Sequence, residues 1–201
     1  MPKLIESTNR KEFIAECAWR VILAEGIEKA SARTIAKEAG LSLGSLRYYF
    51  STQEELLMYA EALAIERMAG KIENVFMGDL EPKEKILEVL LQLLPNERGE
   101  EPEQAVRLFF KFYNTHHNGR ADLYQDGIYA ALKNVMSNLV LLNLLKKDAN
   151  LQLETDRLSM FIDGLSMESL LNRQLWGRDR KRKMLIYHLN SLCKEEFGGL
   201  E

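Results

Sequence analysis

The sequence predicts an all-α protein of about nine helices, in which a small N-terminal three-helix domain precedes a larger helical domain. Apolar residues recur three and four positions apart through most of the chain, and no segment shows the sustained alternation of a strand. Glycine and proline are concentrated in short breaks between these segments. The composition, 46% hydrophobic and 28% charged over 201 residues, is that of a globular protein and excludes wholesale disorder.

The first helix is predicted at about residues 10–25. Its apolar positions repeat with the helical period and form one stripe, made by Phe13, Ile14, Cys17, Ala18, Val21 and Ile22. Asn9 and Glu12 have the spacing of a capping box, which predicts the start of the helix. Gly26 favours a left-handed stop at its end.

Two short helices joined by a tight turn follow. Ser31 is a suitable N-cap for the first of them, and Gly40 ends it. Ser42 is a second N-cap, and it opens a helix that places Leu46 and Phe50 on one side. Two short helices around a turn that contains glycine predict a helix-turn-helix, which completes the three-helix domain.

The rest of the chain is predicted to be helical as well. Ser51 and Glu54 have the spacing of a capping box, which predicts a long helix to about Val75. Breaks rich in Gly, Pro and Asn divide the remainder into helices at about 82–94, 103–117, 121–146, 154–176 and 180–197. The predicted boundary puts residues 1–50 in the first domain and residues 51–201 in the second.

The second helix of the helix-turn-helix carries the residues suited to DNA. A helical wheel places Gly44, Ser45 and Tyr48 on the side away from the apolar residues, with Arg47 and Tyr49 at its flanks. Such a helix fits the major groove, where an arginine can bond guanine through two atoms or pair with phosphate. Pairs of short packed helices are also common in all-helical proteins, so a purely structural role stays open at this point.

The charge distribution agrees with a small domain that binds a polyanion. Residues 1–50 contain eight basic and six acidic residues, whereas residues 51–201 contain 19 basic and 24 acidic residues. A mildly basic head on an acidic body is expected of a nucleic-acid-binding module carried by a larger domain.

The order of residues in this region resembles the signature of the tetracycline-repressor-like (TetR) family of bacterial transcription regulators. The resemblance covers about residues 10–57 and is carried by Gly26, Ser31, Ile35, Ala36, Ala39, Gly40, Leu41, Ser42, Gly44, Leu46, Tyr48, Phe50 and Leu56. It implies a homodimeric repressor that binds a palindromic operator in double-stranded DNA and is released by a small-molecule effector. The DNA contacts that it implies are Ser31, Arg33, Thr34, Ser42, Leu43, Gly44, Ser45, Arg47, Tyr48 and Tyr49.

Apolar residues on two faces of the penultimate helix predict a dimer. One face is expected to pack inside its own domain and the other against a partner, although a helix buried within one subunit is the alternative. Residues 162–165 also resemble the dimer helix of the family. The predicted interface consists of Met160, Gly164, Met167, Leu171, Leu185, Leu189 and Leu192.

An apolar or aromatic effector is predicted from the aromatic and methionine side chains between residues 109 and 176. Most of these side chains must belong to the core, and a minority are expected to line a cavity. The predicted lining residues are Phe109, Phe112, Tyr113, His116, Tyr124, Tyr129, Met136 and Phe161.

The remaining motifs exclude other classes of protein. No catalytic constellation, metal-ligand spacing or nucleotide loop is present, so we expect no enzyme, no metal and no cofactor. Two distant cysteines, a polar N-terminus and the absence of a long apolar run predict a cytoplasmic protein with no membrane partner. The basic run at residues 178–183 is interpreted as a solvated turn. The alternative function is a helical dimeric small-molecule-binding or adaptor protein without operator recognition.

Overall fold

The computed structural model describes residues 2–96, 102–118 and 127–198, and it confirms the all-α prediction. This part of the chain contains nine α-helices and a short 3₁₀ turn at Ile27–Lys29. The helices are α1 (Pro2–Glu25), α2 (Ala32–Glu38), α3 (Leu43–Tyr49), α4 (Gln53–Met77), α5 (Pro82–Gln92), α6 (Glu103–Asn118), α7 (Gly127–Leu141), α8 (Leu151–Leu171) and α9 (Arg178–Leu192). No helix in the described ranges is long and apolar enough to cross a membrane.

Two of the predicted helix starts are wrong in detail. Helix α1 begins at Pro2, so Asn9 lies within the helix and does not cap it. Helix α4 is capped by Thr52, whose Oγ1 accepts a hydrogen bond from the backbone N–H of Glu55 at 3.0 Å. The Glu55 carboxylate accepts bonds from the backbone and hydroxyl of Ser51 in return, which completes a capping box one residue later than predicted.

Helix α7 ends at Leu141, five residues before the predicted end. Asn143 adopts a φ of +54°, and the backbone N–H of Leu144 donates to the Leu139 carbonyl at 2.9 Å. This is the geometry of a left-handed helix stop, which asparagine tolerates better than most residues. Residues 121–126 of the predicted helix lie outside the described part.

The last two helices are also shifted towards the N-terminus. Helix α8 begins at Leu151 because the Asn150 side chain caps it, accepting a bond from the N–H of Leu153 at 3.1 Å. It ends at Leu171, whereas residue 176 was predicted. Helix α9 spans Arg178–Leu192, against a prediction of 180–197.

The described residues form two compact units, and the division does not follow the predicted boundary at residue 50. The first unit contains the residues up to Arg67 together with those of α6 from Ala105 onwards. The second contains Met68 to Gln104, as far as described, and the residues from Gly127 onwards. The first four turns of α4 belong to the first unit because Leu56, Ala60 and others of their side chains lie in its core.

The core of the first unit forms between the helix-turn-helix and the three helices that support it, α1, α4 and α6. Trp19 of α1 is buried, and its indole Nε1–H donates to the carbonyl of Ala60 in α4 at 2.9 Å. Ile35 of α2, Leu46 of α3 and Phe110 of α6 are buried in the same cluster. The orientation of α2 and α3 is therefore fixed by apolar burial against α1.

The second unit has a separate core made from α5, α7, α8 and α9. The basic run at residues 178–183 stabilises this unit, so its interpretation as a solvated turn is wrong. Arg178 pairs with Glu88, and Arg182 pairs with both carboxylate oxygens of Glu84 at 2.7 and 2.9 Å. Lys181 is buried, and its ammonium donates to the carbonyl of Pro95. These bonds attach α9 to α5 and to the segment that follows it.

Candidate nucleic-acid interface

Two serines cap the helices of the helix-turn-helix, as their spacing predicts. The Ser31 hydroxyl accepts a hydrogen bond from the N–H of Thr34 at 3.1 Å, and the Ser42 hydroxyl accepts one from the N–H of Ser45 at 3.0 Å. The turn between them depends on Gly40, whose φ of +65° is strained for other residues. The caps and the turn together place α3 after α2 with its N-terminus exposed.

Helix α3 presents a buried side and an exposed side. Leu46 and Phe50 are buried in the first core, whereas Ser45 and Arg47 are exposed and Tyr48 retains 83% of its accessible surface. Tyr49 is partly buried and meets the Tyr48 ring edge-on, with centroids 5.2 Å apart. The helix is short and capped, and its exposed side is polar, which suits insertion into a major groove.

The positive charges near α3 are available to a ligand. Arg33 in the first turn of α2 and Arg47 in α3 are both exposed, and neither forms an ion pair within residues 2–96, 102–118 and 127–198. Leu43 and Thr34 are half-buried, so each keeps part of its side chain at the surface. The residues predicted to contact DNA thus lie on α2 and α3 of the first unit, and each keeps part of its side chain at the surface or is exposed.

Gly44 is not required by the packing of the subunit. It lies in the first turn of α3, and a Cβ built on it would meet only the Ser42 hydroxyl, at an ordinary distance of 3.8 Å. Glycine in a helix costs about 1 kcal/mol relative to alanine. At such a position glycine would let another molecule approach the backbone closely.

Lys11 of α1 lies beside the end of α3, a contact that no pattern in the sequence indicated. Its ammonium lies 5.1 Å from the centre of the Phe50 ring and 5.9 Å from that of Tyr59. Phe50 is the C-cap of α3. The cation therefore links α1 to the point where α3 ends and α4 is about to begin.

The residues predicted to line an effector cavity are divided between the two units. Phe109, Phe112 and Tyr113 lie in the part of α6 that belongs to the first unit, where Phe112 is exposed and the other two pack on the core. His116 lies in the last turn of α6, but its side chain is outside the described part of the structure. Tyr124 lies outside the described residues altogether.

The other three predicted lining residues have structural contacts in the second unit. The buried Tyr129 hydroxyl donates to Asp156 at 2.6 Å and accepts a bond from Gln152 at 2.8 Å, which links α7 to α8. Met136 is buried in the core. Phe161 stacks on the imidazole of His188. Their part in effector binding stays a prediction.

The predicted dimer residues fall into two groups. Met160 and Leu171 are exposed at 70% and 69%, Gly164 is exposed, and Met167 is half-buried. These four residues form the exposed face of α8. The prediction that α9 contributes Leu185, Leu189 and Leu192 to the interface is wrong. These side chains are buried within their own subunit and cannot reach a partner.

Tyr187 of α9 is an exposed aromatic side chain that was not among the predicted interface residues. It retains 66% of its surface and lies on the side of the helix opposite the buried leucines. Tyr187 lies two residues from both Leu185 and Leu189, a spacing that puts it on the opposite side of a helix and could have been recognised in the sequence. The leucine repeat instead suggested an interface, because a core stripe and an interface stripe have the same period.

The first unit thus has the helices, caps and exposed polar surface of a helix-turn-helix DNA-binding regulator. Residues 14–60 match the family model described as bacterial regulatory proteins of the tetR family. Residues 82–194 match the model of the C-terminal domain of BetI-type transcriptional repressors. The chain belongs to the TetR family of transcription regulators.

Known proteins are similar to the whole or to a part of this chain. The HTH-type transcriptional regulator PksA of Bacillus subtilis (strain 168) is 41% identical over 196 residues, covering 98% of this chain and 96% of PksA. The nicotine-responsive repressor HdnoR of Paenarthrobacter nicotinovorans is 35% identical over 74 residues, 37% of this chain and 38% of HdnoR. A TetR-family regulator from Rhodococcus sp. has the same fold, with a TM-score of 0.77 and 17% sequence identity. The match covers 92% of this chain and 98% of that regulator.

Proposed function

We propose that this chain represses transcription as a homodimer on a palindromic operator and that a small apolar or aromatic effector releases it. Members of its family bind operator DNA and small-molecule effectors. In this proposal residues 1–50 contact DNA, while residues 51–201 bind the effector and dimerise. Operator binding places the protein in the cytoplasm, and no catalytic step is part of this role.

The observation that carries the proposal is the exposed side of α3. Ser45, Arg47 and Tyr48 are exposed there, and Gly44 is a glycine that nothing inside the subunit requires. A DNA backbone or base edge close to Gly44 explains both features. The DNA contacts are proposed to be the ten residues implied by the family resemblance.

Helix α8 supports the proposed dimer because it, too, carries an exposed glycine that packing within the subunit does not require. Gly164 is exposed between Met160 and Leu171, and a Cβ built on it would have no neighbour within 4 Å. Glycine lowers the stability of an isolated helix, but it lets a second helix approach closely. We place the symmetric interface on the exposed face of α8, with Tyr187 of α9 beside it.

Helix α4 is the proposed connection between effector and DNA. It begins three residues after Phe50 ends the recognition helix, and it continues from the first unit into the second at Met68. Two recognition helices must lie about 34–36 Å apart to enter successive major grooves. An effector that favours another separation weakens DNA binding by its differential affinity for the two states, and DNA weakens effector binding equally.

The test begins with selection of bound duplexes from random DNA, followed by gel-shift measurements with Gly44→Ala. Alanine should stabilise α3 by up to about 1 kcal/mol while it weakens operator binding, because its methyl group meets the DNA. Gly70→Ala is the matched control, since Gly70 is also exposed in a helix with open space around it. That variant should gain stability without losing affinity.

Two results would contradict the proposal. Wild-type protein that binds no selected palindrome better than random duplex would indicate an adaptor without operator recognition. Equal DNA affinity of Gly44→Ala and Gly70→Ala would place the interface elsewhere.

A further inference from the structure

The first turn of α3 carries an apolar side chain that does not belong to the core. Leu43 is the first residue of the helix and is half-buried. Among the described residues, the partly buried apolar side chains packed against the first core include those of Leu41 and Tyr49, but not that of Leu43. The exposed part of the Leu43 side chain is therefore available to a molecule that covers α3.

The neighbours of Leu43 in this turn leave its side chain accessible. Gly44 has no side chain, and the hydroxyls of Ser42 and Ser45 lie 2.8 Å apart and bond to each other. Side chains of a helix lean towards its N-terminus, so a residue in the first position reaches beyond the start of the helix. In a helix-turn-helix the N-terminal residues of the second helix reach the base edges. Leu43 thus lies where a side chain can meet a base.

The chemistry of leucine limits what its side chain can read in the major groove. Base edges present hydrogen-bond donors and acceptors there, and the apolar group among them is the C5-methyl of thymine. Leucine forms no hydrogen bond, so against another edge it would cover a donor or acceptor and leave that group without a partner. Against the methyl group it would bury apolar surface on both molecules. Leu43 therefore favours thymine by attraction and disfavours the other bases by exclusion.

We propose that Leu43 determines operator specificity by packing against the C5-methyl group of one thymine in each half-site. This inference rests on the proposed function, because it takes α3 to lie in the major groove of an operator. Leu43 and Arg47 are four residues apart and lie on the same side of α3, about 6 Å from each other along its axis. That span corresponds to about two base-pair steps of roughly 3.4 Å. The thymine is therefore expected within about two base pairs of the base pair nearest to Arg47.

Deoxyuridine is the probe, because it lacks the methyl group of thymidine and keeps the same hydrogen-bonding edge. In the best duplex obtained by selection, each thymine is replaced by uracil in turn, at the symmetric positions of both half-sites. The Kd of the purified full chain is measured for every duplex by gel shift. At one position the replacement should weaken wild-type binding roughly 4-fold per half-site, the effect of one buried methyl group, and so roughly 16-fold for the whole palindrome.

Leu43→Ala removes the contact and introduces a residue that favours helices. It should bind the thymine and uracil duplexes with equal affinity, close to that of wild type for the uracil duplex. A purely structural role of Leu43 would instead weaken binding of both duplexes by the same factor and keep the wild-type preference. Leu43→Met retains an apolar side chain and should keep most of the preference. Leu141→Ala is the control, since Leu141 is an exposed leucine of the second unit, and it should keep the preference in full.

Three outcomes would overturn the inference: wild type that binds every uracil duplex as tightly as the thymine duplex, a preference that Leu43→Ala retains, or selected half-sites that require no thymine. In each of these cases, specific binding of the palindrome by wild type would leave the proposed function standing. Failure of wild type to prefer any selected palindrome over random duplex would instead refute both.

Discussion

The imidazole of His188 stacks on the ring of Phe161, with centroids 4.6 Å apart and planes 15° from parallel. This contact joins α9 to α8 inside the second unit. His188 Nε2 is buried and has no hydrogen-bond partner in the described part of the chain. Burial, and secondarily the nearby positive charge of Arg157, lowers the pKa of His188 from 6.5 to about 4.

We expect the stability of the protein to fall in mild acid because of His188. Above pH 6.5 the imidazole is neutral in both the folded and the unfolded chain, and its effect on the free energy of unfolding is constant. Between pH 6.5 and about 4 the unfolded chain binds a proton that the folded chain does not, so stability decreases by at most about 1.4 kcal/mol per pH unit. Urea denaturation of wild type and His188→Gln measures the difference in unfolding free energy, which should change with pH over this range and become constant above pH 6.5.

A pH dependence that is identical in the two proteins would contradict this prediction. Other groups also titrate in this range, but they are common to wild type and variant. The difference between the two curves therefore isolates His188.

Removal of the cap of the recognition helix should weaken both folding and DNA binding. Ser42→Ala leaves the N–H of Ser45 without its acceptor and should cost about 1 kcal/mol of unfolding free energy. Ser42→Asn restores a capping side chain. Denaturation and gel shifts on the same samples separate the capping role of Ser42 from a direct contact with DNA. Asparagine should recover the stability in either case. It should recover the DNA affinity as well only if Ser42 acts on DNA through the cap alone.

Arg47→Ala should reduce operator affinity by about 1–3 kcal/mol if the guanidinium contacts a guanine, and sequence preference at one position of each half-site should be relaxed. Arg47→Lys is the control, because lysine keeps the charge but cannot make the two-atom contact. A phosphate contact would instead give a uniform loss across sequences and reduce the salt slope by about one. Unchanged binding of Arg47→Ala at several salt concentrations would remove this residue from the interface.

A charge on the exposed face of α8 should disrupt the proposed dimer. Met160→Glu would bury an unpaired carboxylate at the interface, with a cost of about 3–5 kcal/mol. Leu141→Glu is the matched control, because Leu141 is also exposed but lies at the end of α7. Sedimentation equilibrium should show a monomer for the first variant and a dimer for the second. Wild-type protein that is monomeric at micromolar concentration would contradict the predicted interface.

The order of the helices and the helix-turn-helix followed from the sequence alone, because local chemistry determines them. Ser31 and Ser42 cap their helices through backbone N–H groups three residues away, and Gly40 adopts the positive φ of the turn. The buried positions of Leu46 and Phe50 follow from their spacing of four. Each of these features depends on residues within one or two turns, so a single sequence contains enough information to predict it.

The tertiary structure alone decided which apolar and charged residues serve the core. Leu185 and Leu189 have the same period as Met160 and Gly164, but enclosure by α5, α7 and α8 buries the leucines and leaves the exposed face of α8 open. Arg182 pairs with Glu84, 98 positions away, and Gln104 bonds to the main chain of Gln92 across the end of α5. Periodicity shows that a helix has two faces. Which face another helix covers is set by long-range packing, and that information is not present in any local pattern.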